Sequence, residues 1–220
     1  VMAFVTLVRH GQANGAARDE AGYDRLSELG WQQARWLGAH FREAGEVFAR
    51  VYSGTLRRHV ETAEAIDADC GAPVMRDERL NELEYFAMAQ ALHDQHGVPV
   101  PGDREEFVAH LPQLFEAWRA GRIEGVRESF ETFETRVGDA LREIADGQGR
   151  ALVVTSGGLI GMAMRIVLGL DMRGLAHMCL AIENTSVHRL QPLPTGLAIT
   201  QFNALPHLDS PARARMRSHL

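Results

Sequence analysis

The sequence predicts an α/β fold built on a parallel sheet, and three observations support this class. Residues 4–8 form an apolar run that ends abruptly in an arginine, a histidine and a glycine at 9–11, as expected of a buried strand in a parallel sheet. Strand and helix patterns then alternate along 27–68. The stretch 151–170 has the pattern of a strand, a turn and a helix. Such alternation is typical of a sheet covered by helices.

Composition and charge restrict the classes that the protein can belong to. The 220 residues suit one domain, 1–220, and a hydrophobic fraction of 45% allows a buried core. A formal net charge of −6 with interspersed signs leads us to expect neither nucleic acid nor membrane as a partner. Neither Cys70 nor Cys179 belongs to a Cys-x-x-Cys pair, and the N-terminal apolar segment lacks signal-peptide features. We therefore expect a cytoplasmic protein.

The first half of the chain predicts two helices that follow strands. Ser27 has the position of an N-cap, and apolar residues recur at helical spacing to about residue 44. A second strand is predicted at 47–53, a second helix at 56–68 and a short third strand at 74–75. The resulting order of strand, helix, strand and helix establishes βαβα alternation.

The second half predicts an insertion and then a return to the sheet. The pattern is looser at about 86–125, with one helix at 104–119, and we expect this insertion to lie over the site and to influence substrate choice. The elements predicted after it are a helix at 130–145, a strand at 150–155, a helix at 159–168 and a hairpin with strands at 184–193 and 197–202. The tail, 212–220, is expected to be frayed.

Reactive side chains are found where the predicted strands end. Arg9 and His10 follow the first strand, and Arg58 lies in the first turn of the helix after the second strand. Ligands of parallel sheets bind beyond the carboxyl ends of the strands, so we expect these residues to share one site. Guanidinium groups bind phosphate or carboxylate, imidazole acts as a nucleophile or base, and a helix amino end favours an anion. The sequence therefore predicts anion chemistry.

Glu82 is the candidate acid of this site. It follows the short third strand, whereas its neighbour Glu84 fits an exposed acidic turn better. A bound phosphoryl group beside Glu82 would favour its protonated form, which can give a proton to a leaving group.

The pair His93 and His96 does not predict a metal site. The two lie three residues apart on an expected polar surface, and the sequence offers no identifiable third ligand. Solvated histidines are the better interpretation, and we expect no metal.

Four separated segments carry motifs that belong together. They are Val-Arg-His-Gly at 8–11, Leu-Ser-Glu-Leu-Gly at 26–30, Ser-Gly-Thr-Leu-Arg-Arg at 53–58 and Leu-Asn-Glu at 80–82. With these motifs the chain resembles the histidine phosphatase superfamily, the phosphoglycerate mutase-like proteins. The resemblance covers nearly the whole chain and includes the segments 101–105 and 133–137.

The resemblance implies a three-layer α/β/α sandwich on a mixed, mostly parallel sheet. It also implies that His10 attacks a phosphoryl group to form a phosphohistidine, while Arg9 and Arg58 hold the phosphoryl oxygens. Glu82 would protonate the leaving oxygen. Neither a metal nor an organic cofactor is implied.

One position departs from the family pattern. The fourth-strand motif of the family carries a second histidine before paired glycines, and Ser156 stands in that place here, followed by Gly157. Serine and the amides at the start of the next helix can donate hydrogen bonds to phosphate, but they do not supply imidazolium charge. We expect Ser156 and Gly157 to bind phosphate. Three other histidines are not predicted to replace the missing one: His59, His177 and His188.

A rival class follows from the same serine. A serine at a strand-to-helix turn resembles the nucleophile elbow of α/β-hydrolases, but Val154 occupies the place of the first glycine of that motif. We rank this interpretation below the phosphatase.

The predicted function is a metal-independent phosphatase that acts through His10 on a phosphorylated small molecule or phosphoprotein. Mutase activity is a weaker prediction, because the insertion contains no dedicated arginine cluster beyond Arg104, Arg119 and Arg122. The alternative is a catalytically weak or inactive member that binds phosphorylated ligands or protein partners. The sequence predicts neither the substrate nor the oligomeric state.

Overall fold

A six-stranded sheet forms the centre of the protein. The computed structural model describes residues 4–17, 19–68 and 73–219. The strands are β1 (Val5–Arg9), β2 (Arg50–Ser53), β3 (Met75–Arg76), β4 (Ala151–Thr155), β5 (Val187–Leu193) and β6 (Gly196–Ala204). Their order in the sheet is β3-β2-β4-β1-β5-β6. The first four run parallel, whereas β5 is antiparallel to β1 and β6 is antiparallel to β5. The predicted mixed, mostly parallel sheet is confirmed.

Nine α-helices surround the sheet in the described part of the chain. They are α1 (Glu20–Tyr23), α2 (Glu28–Glu43), α3 (Arg57–Ile66), α4 (Tyr85–His96), α5 (Arg104–Arg119), α6 (Phe130–Asp146), α7 (Gly157–Leu168), α8 (Met172–Ala181) and α9 (Pro211–Ala214). Short polar side chains begin many of them; the Ser27 hydroxyl, for example, accepts a hydrogen bond from Gly30 N at the start of α2. Among the described residues, no helix is long and apolar enough to cross a membrane.

Both faces of the sheet are buried, which explains the continuous apolar runs of β1 and β4. Val8, on one face of β1, packs in a cluster with Leu37 of α2 and Ile66 of α3. Leu7, on the other face, belongs to a larger cluster formed mainly by α4 to α8. The sheet is therefore the middle of three layers, as the resemblance implies.

The central strands bring the predicted site residues to one edge. β1 lies between β4 and β5, with Arg9 opposite Thr155. His10 continues this pairing just beyond the strand, because its backbone N–H donates to the carbonyl oxygen of Thr155 at 2.8 Å. The starts of α3 and α7 lie at the same edge, since each follows its strand after a short turn.

Four helices were missing from the sequence prediction: α1, α4, α8 and α9. Of these, α1 and α9 have four residues each, which is too short for a periodic pattern. The expected loose segment contains α4, whose apolar residues are spread around the helix rather than gathered on one stripe, so the pattern was weak. The helix α8, which carries His177, is short and is capped by Asp171.

The expectation of a frayed tail was wrong for the residues that the structure describes. The amide of Gln33 donates to the carbonyl of Met216 at 2.7 Å and to the hydroxyl of Ser218 at 2.9 Å. The backbone N–H of Asn184 donates to the carbonyl of Ser218 as well. Cys70, the first three residues of the N-terminal segment and the last residue of the tail lie outside the described residues.

Candidate active site

His10 is buried and held in one tautomer. Only 2% of the residue is exposed, and its Nδ1 lies 2.7 Å from the carbonyl oxygen of Gly11. A carbonyl can only accept, so Nδ1 carries the proton and Nε2 keeps a free lone pair. Burial is the main cause that lowers the pKa of His10 well below its ordinary value, with help from the charges of Arg58 and Arg9. His10 is therefore a neutral imidazole with an available nucleophilic nitrogen.

Arg9 and Arg58 are two buried guanidinium groups beside this imidazole. Arg9 donates through Nη1 to the carbonyl oxygen of Ile182 at 2.6 Å, and Arg58 donates through Nη1 to Asp24 at 3.1 Å. The Nε atom of each side chain is buried and has no hydrogen-bond partner among the described residues. Buried donors without acceptors are rare, and two of them beside one pocket indicate that an anion completes the site.

Glu82 is fixed by backbone donors of two segments. Its Oε2 accepts from the amide of Gly158 at 2.9 Å and its Oε1 from the amide of Leu83 at 3.0 Å. A Cβ added at Gly158 would lie 2.3 Å from Oε1, so only glycine permits this approach at the start of α7. The carboxyl group is thereby held in the same pocket as His10.

Gly157 and Ser156 differ in their contacts at the pocket. Gly157, the first residue of α7, lines the pocket next to Arg9. Ser156 is fully buried, makes no side-chain cap bond to the helix, and has its Oγ 2.5 Å from Nε2 of His59. The edge thus brings together Arg9, His10, Arg58, Glu82 and Gly157 in the pocket wall. Ser156 directly precedes Gly157, and its hydroxyl contacts His59.

The loop that carries His10 is fixed from several sides. The amide of Gly11 donates to the hydroxyl of Thr62 at 3.0 Å, and that hydroxyl donates to the carbonyl of Arg58 at 2.7 Å. The side-chain amide of Asn184 donates to the carbonyl of His10 at 3.1 Å. These bonds join the loop to α3 and to the segment before β5, so His10 has little freedom to move.

The pocket extends outward from this group as a cavity of about 290 Å³. Its outer wall is mainly apolar and comes from α1, the start of α4 and α5. These wall residues are Tyr23, Leu83, Tyr85, Phe86, Phe107, Leu111 and Phe115. Much of this wall belongs to the predicted insertion at 86–125.

Glu20 is a second carboxyl group in the pocket. It lies 3.8 Å from Nη1 of Arg58. Burial raises its pKa to about 7, and the nearby negative charges of Glu82 and Glu84 act in the same direction, while Arg58 opposes them. Glu20 therefore changes charge close to neutral pH.

His93 and His96 bond to the backbone. The ring Nδ1 of His93 lies 3.2 Å from the carbonyl oxygen of Val98, and Nε2 of His96 lies 2.6 Å from that of Arg122. The residues that the structure describes contain no group of three or more histidine, cysteine or acidic side chains arranged to hold a metal ion.

Comparison with known proteins gives the family. Residues 5–205 match the Histidine phosphatase superfamily (branch 1). The chain belongs to this superfamily. A "Probable phosphoglycerate mutase GpmB" of Salmonella paratyphi B is 32% identical over 219 residues, which cover 94% of this chain and 96% of that protein. The superfamily contains phosphatases and mutases that act on phosphate monoesters.

Solved structures of the histidine phosphatase superfamily share the fold. A phosphoglycerate mutase from Bacillus anthracis is 23% identical, with a TM-score of 0.70 over 94% of this chain and 96% of that one. A phosphoserine phosphatase mutant from Entamoeba histolytica, in complex with phosphoserine, is 19% identical with the same TM-score and covers 94% of this chain and 100% of that one.

Sequence reasoning missed several residues of the site. Glu20 and Tyr23 lie in the segment 12–25, whose composition indicates a loop over the pocket, but the absence of periodicity singled out neither residue. Asp24 was missed for the same reason, although it accepts from the backbone N–H groups of Arg57 and Arg58 at the start of α3. His59 was considered and set aside. Its place beside Arg58 in the first turn of α3 was the available signal.

Proposed function

We propose that this member of the superfamily is a metal-independent phosphatase that hydrolyses a phosphate monoester through a phosphohistidine at His10. The observation that carries the proposal is the neutral His10, with Nε2 free, beside the two buried Nε donors of Arg9 and Arg58 that lack acceptors in the described structure. A phosphoryl group supplies the missing acceptors and places phosphorus in front of the nucleophile.

The first step transfers the phosphoryl group to the enzyme. Nε2 of His10 forms a bond to phosphorus while the bond from phosphorus to the ester oxygen breaks in line with it. Arg9, Arg58 and the amide of Gly157, which as the first helical amide of α7 has no acceptor within the helix, stabilise the charge on the phosphoryl oxygens. Glu82 gives its proton to the leaving oxygen, so the alcohol departs neutral.

The second step returns the enzyme to its starting state. A water molecule gives a proton to the carboxylate of Glu82 and attacks phosphorus while the bond to Nε2 breaks. The products are inorganic phosphate, neutral His10 and protonated Glu82. The same carboxyl group acts as acid and then as base, which its fixed position between the amides of Leu83 and Gly158 allows.

The wall of the pocket favours a phosphatase over a mutase. A mutase substrate carries a second charged group that needs its own cations, and Arg104 is the candidate from the insertion that lines the cavity. Arg119 is paired with Glu131 on the surface, and Arg122 is exposed. The mainly apolar wall suits the organic part of an ester better than a second phosphate or carboxylate.

The test combines turnover with capture of the intermediate. Purified protein is assayed on an aryl phosphate, phosphoserine and 3-phosphoglycerate, and acid-labile, base-stable phosphoenzyme is measured after rapid quenching. We expect phosphate release and a phosphoenzyme that His10→Ala abolishes, whereas His177→Ala, at an exposed position of α8, leaves both unchanged. Turnover that survives in His10→Ala contradicts the proposed nucleophile.

A second candidate function is a weak or inactive member that binds phosphorylated ligands or proteins. The observation in its favour is that the hydroxyl of Ser156, at the place where the family pattern has a histidine, is buried in contact with His59. Tight binding of inorganic phosphate without turnover on any of the three esters would support this candidate instead.

A further inference from the structure

His59 is the buried imidazole that the proposed chemistry leaves unused. The residue is fully buried in the first turn of α3, and its ring centroid lies 5.8 Å from that of His10, with the two planes tilted by 36°. Its Nε2 lies 2.5 Å from Oγ of Ser156, which stands at the end of β4. A buried imidazole so close to a nucleophile, in contact with a buried hydroxyl, calls for a role.

The hydrogen bonds of His59 indicate where its proton lies. Burial, and next the charge of Arg58, lower the pKa of His59 well below its ordinary value, so the ring is neutral and carries one N–H. Nδ1 is buried without a partner among the described residues and faces Gly54, where an added Cβ would lie only 2.1 Å away. If the proton is on Nδ1, a buried N–H stays unpaired whether or not a ligand is bound. If the proton is on Nε2, an acceptor bound in the pocket can take the Ser156 hydroxyl proton, and only the acceptor atom Nδ1 stays unpaired, which is the less costly arrangement. His59 therefore donates to Oγ of Ser156.

This assignment leaves the hydroxyl proton of Ser156 without an acceptor in the described structure. Oγ accepts from His59 and makes no bond to the N–H groups at the start of α7. Ser156 lies beside the nucleophile, because β4 pairs with β1 and the carbonyl of the preceding Thr155 accepts from the backbone N–H of His10. The Nε donors of Arg9 and Arg58 have no acceptor near His10 among the described residues. With His59 as the donor to Oγ, the hydroxyl proton of Ser156 is a third donor there that is free for a ligand.

We propose that Ser156 donates a hydrogen bond to the transferring phosphoryl group and that His59 is the positioning residue that turns the hydroxyl toward it. The proposal rests on the proposed function of His10 and adds to it a pair of residues, one in α3 and one at the N-cap of α7. Together the pair supplies a donor at the place where the family pattern has a single histidine, but it keeps that donor neutral.

A double-mutant cycle tests the pair. Kinetic constants on an aryl phosphate are measured for wild type, His59→Ala, Ser156→Ala and the double variant, with His177→Ala as the control. We expect Ser156→Ala to lower kcat about 100-fold with little change in KM, as for other preorganised donors. His59→Ala gives a loss of similar size, and the double variant is no slower than Ser156→Ala, because His59 acts only through the serine.

The conservative variant His59→Gln separates positioning from structure. The side-chain amide of glutamine can donate to Oγ as Nε2 does, so we expect it to recover most of kcat, and vanadate inhibition should follow the same order across the variants. Losses that multiply in the double variant, or a fall in thermal stability with unchanged kcat, overturn the proposal. If His59→Ala does not fold, kcat of His59→Gln is compared with kcat of Ser156→Ala. The proposal then requires that His59→Gln keeps most of the wild-type kcat and that Ser156→Ala does not.

Failure of this proposal is distinguishable from failure of the proposed function. His10→Ala is assayed in parallel. Turnover that survives in this variant contradicts His10 as the nucleophile, independently of the result of the double-mutant cycle. If the wild type has no turnover, calorimetric binding of inorganic phosphate to the same variants replaces kcat. Unchanged phosphate affinity in Ser156→Ala would then overturn the role of the pair.

Discussion

The carboxylate of Glu82 accepts a hydrogen bond of 2.9 Å from the backbone amide of Gly158. This bond joins the segment after β3 to the first turn of α7, and it is possible only because position 158 has no side chain. The candidate acid is therefore fixed by the helix whose first residue, Gly157, lines the anion site.

Glu82→Gln tests the role of this carboxyl group through the leaving group. An amide cannot give up a proton, so kcat for an alkyl phosphate should fall by about 10²- to 10⁴-fold. A nitrophenyl phosphate, whose leaving group departs without protonation, should lose far less in the transfer step. Rapid-quench rates of phosphoenzyme formation measure the difference. Glu84→Gln, at the half-buried N-cap of α4 where the carboxylate pairs with Arg127, is the control. Equal losses on both esters would contradict the role as acid.

Glu20→Gln is expected to strengthen phosphate binding only at high pH. The pKa of Glu20 is raised to about 7, so the wild-type side chain is neutral at pH 5.5 and negatively charged at pH 8.5. The charge at pH 8.5 repels an anion at Arg58, and its removal should lower the dissociation constant of inorganic phosphate by about 3- to 10-fold, or ~1 kcal/mol.

The comparison between the two pH values is the control for Glu20. At pH 5.5 the variant and the wild type carry the same charge at this position, so their affinities should agree. Calorimetric titration gives the dissociation constant of inorganic phosphate for both proteins at each pH. The ratio of the two constants is independent of the titration of phosphate itself, because both proteins meet the same phosphate species. A ratio that does not change between the two pH values would show that Glu20 keeps one charge state throughout.

Phe107→Ala tests whether the apolar wall binds the organic part of the ester. Phe107 lines the cavity from α5 and packs edge-to-face on Tyr85, with ring centroids 5.2 Å apart. Its loss should raise KM for naphthyl phosphate by about 10-fold or more, because roughly 1.5–3 kcal/mol of burial is removed. KM for methyl phosphate, which does not reach the wall, should hardly change. Leu193→Ala, on an exposed strand end, is the control.

Two helical glycines should respond to alanine in opposite directions. A Cβ at Gly38 of α2 would lie 1.9 Å from the carbonyl oxygen of Ile66 in α3, so Gly38→Ala should lower the free energy of unfolding by roughly 3 kcal/mol. At Gly138 of α6 the nearest atom is a side-chain carbon of Ile166 at 3.7 Å. Gly138→Ala should therefore raise stability by up to ~1 kcal/mol. Denaturant titration measures both, and a stable Gly38→Ala protein would contradict the close helix contact.

The strands and the amphipathic helices could be predicted because local patterns specify them. The apolar run before Arg9 and the capped helix after Ser27 appear in the structure close to their predicted bounds. The helix α4 could not be predicted with the same means, since its residues are apolar on several sides and it is stabilised by packing against α5 and the core rather than by one stripe. The hydrogen bonds that hold the tail to Gln33 and Asn184 likewise join residues far apart in the sequence.

The sequence by itself determined the fold class and where the reactive residues lie along the chain. An apolar strand that ends in Arg9 and His10 predicts a site at the carboxyl edge of a parallel sheet, and this prediction needs only the local sequence pattern. Only the tertiary structure decided how these residues meet. The tautomer and charge state of His10 and the pairing of His59 with Ser156 depend on burial and on tertiary contacts. The hydrogen bond from α3 to the N-cap of α7, for example, joins residues 97 positions apart. Periodicity reports which face of an element is buried, but it does not report which side chains of two elements touch.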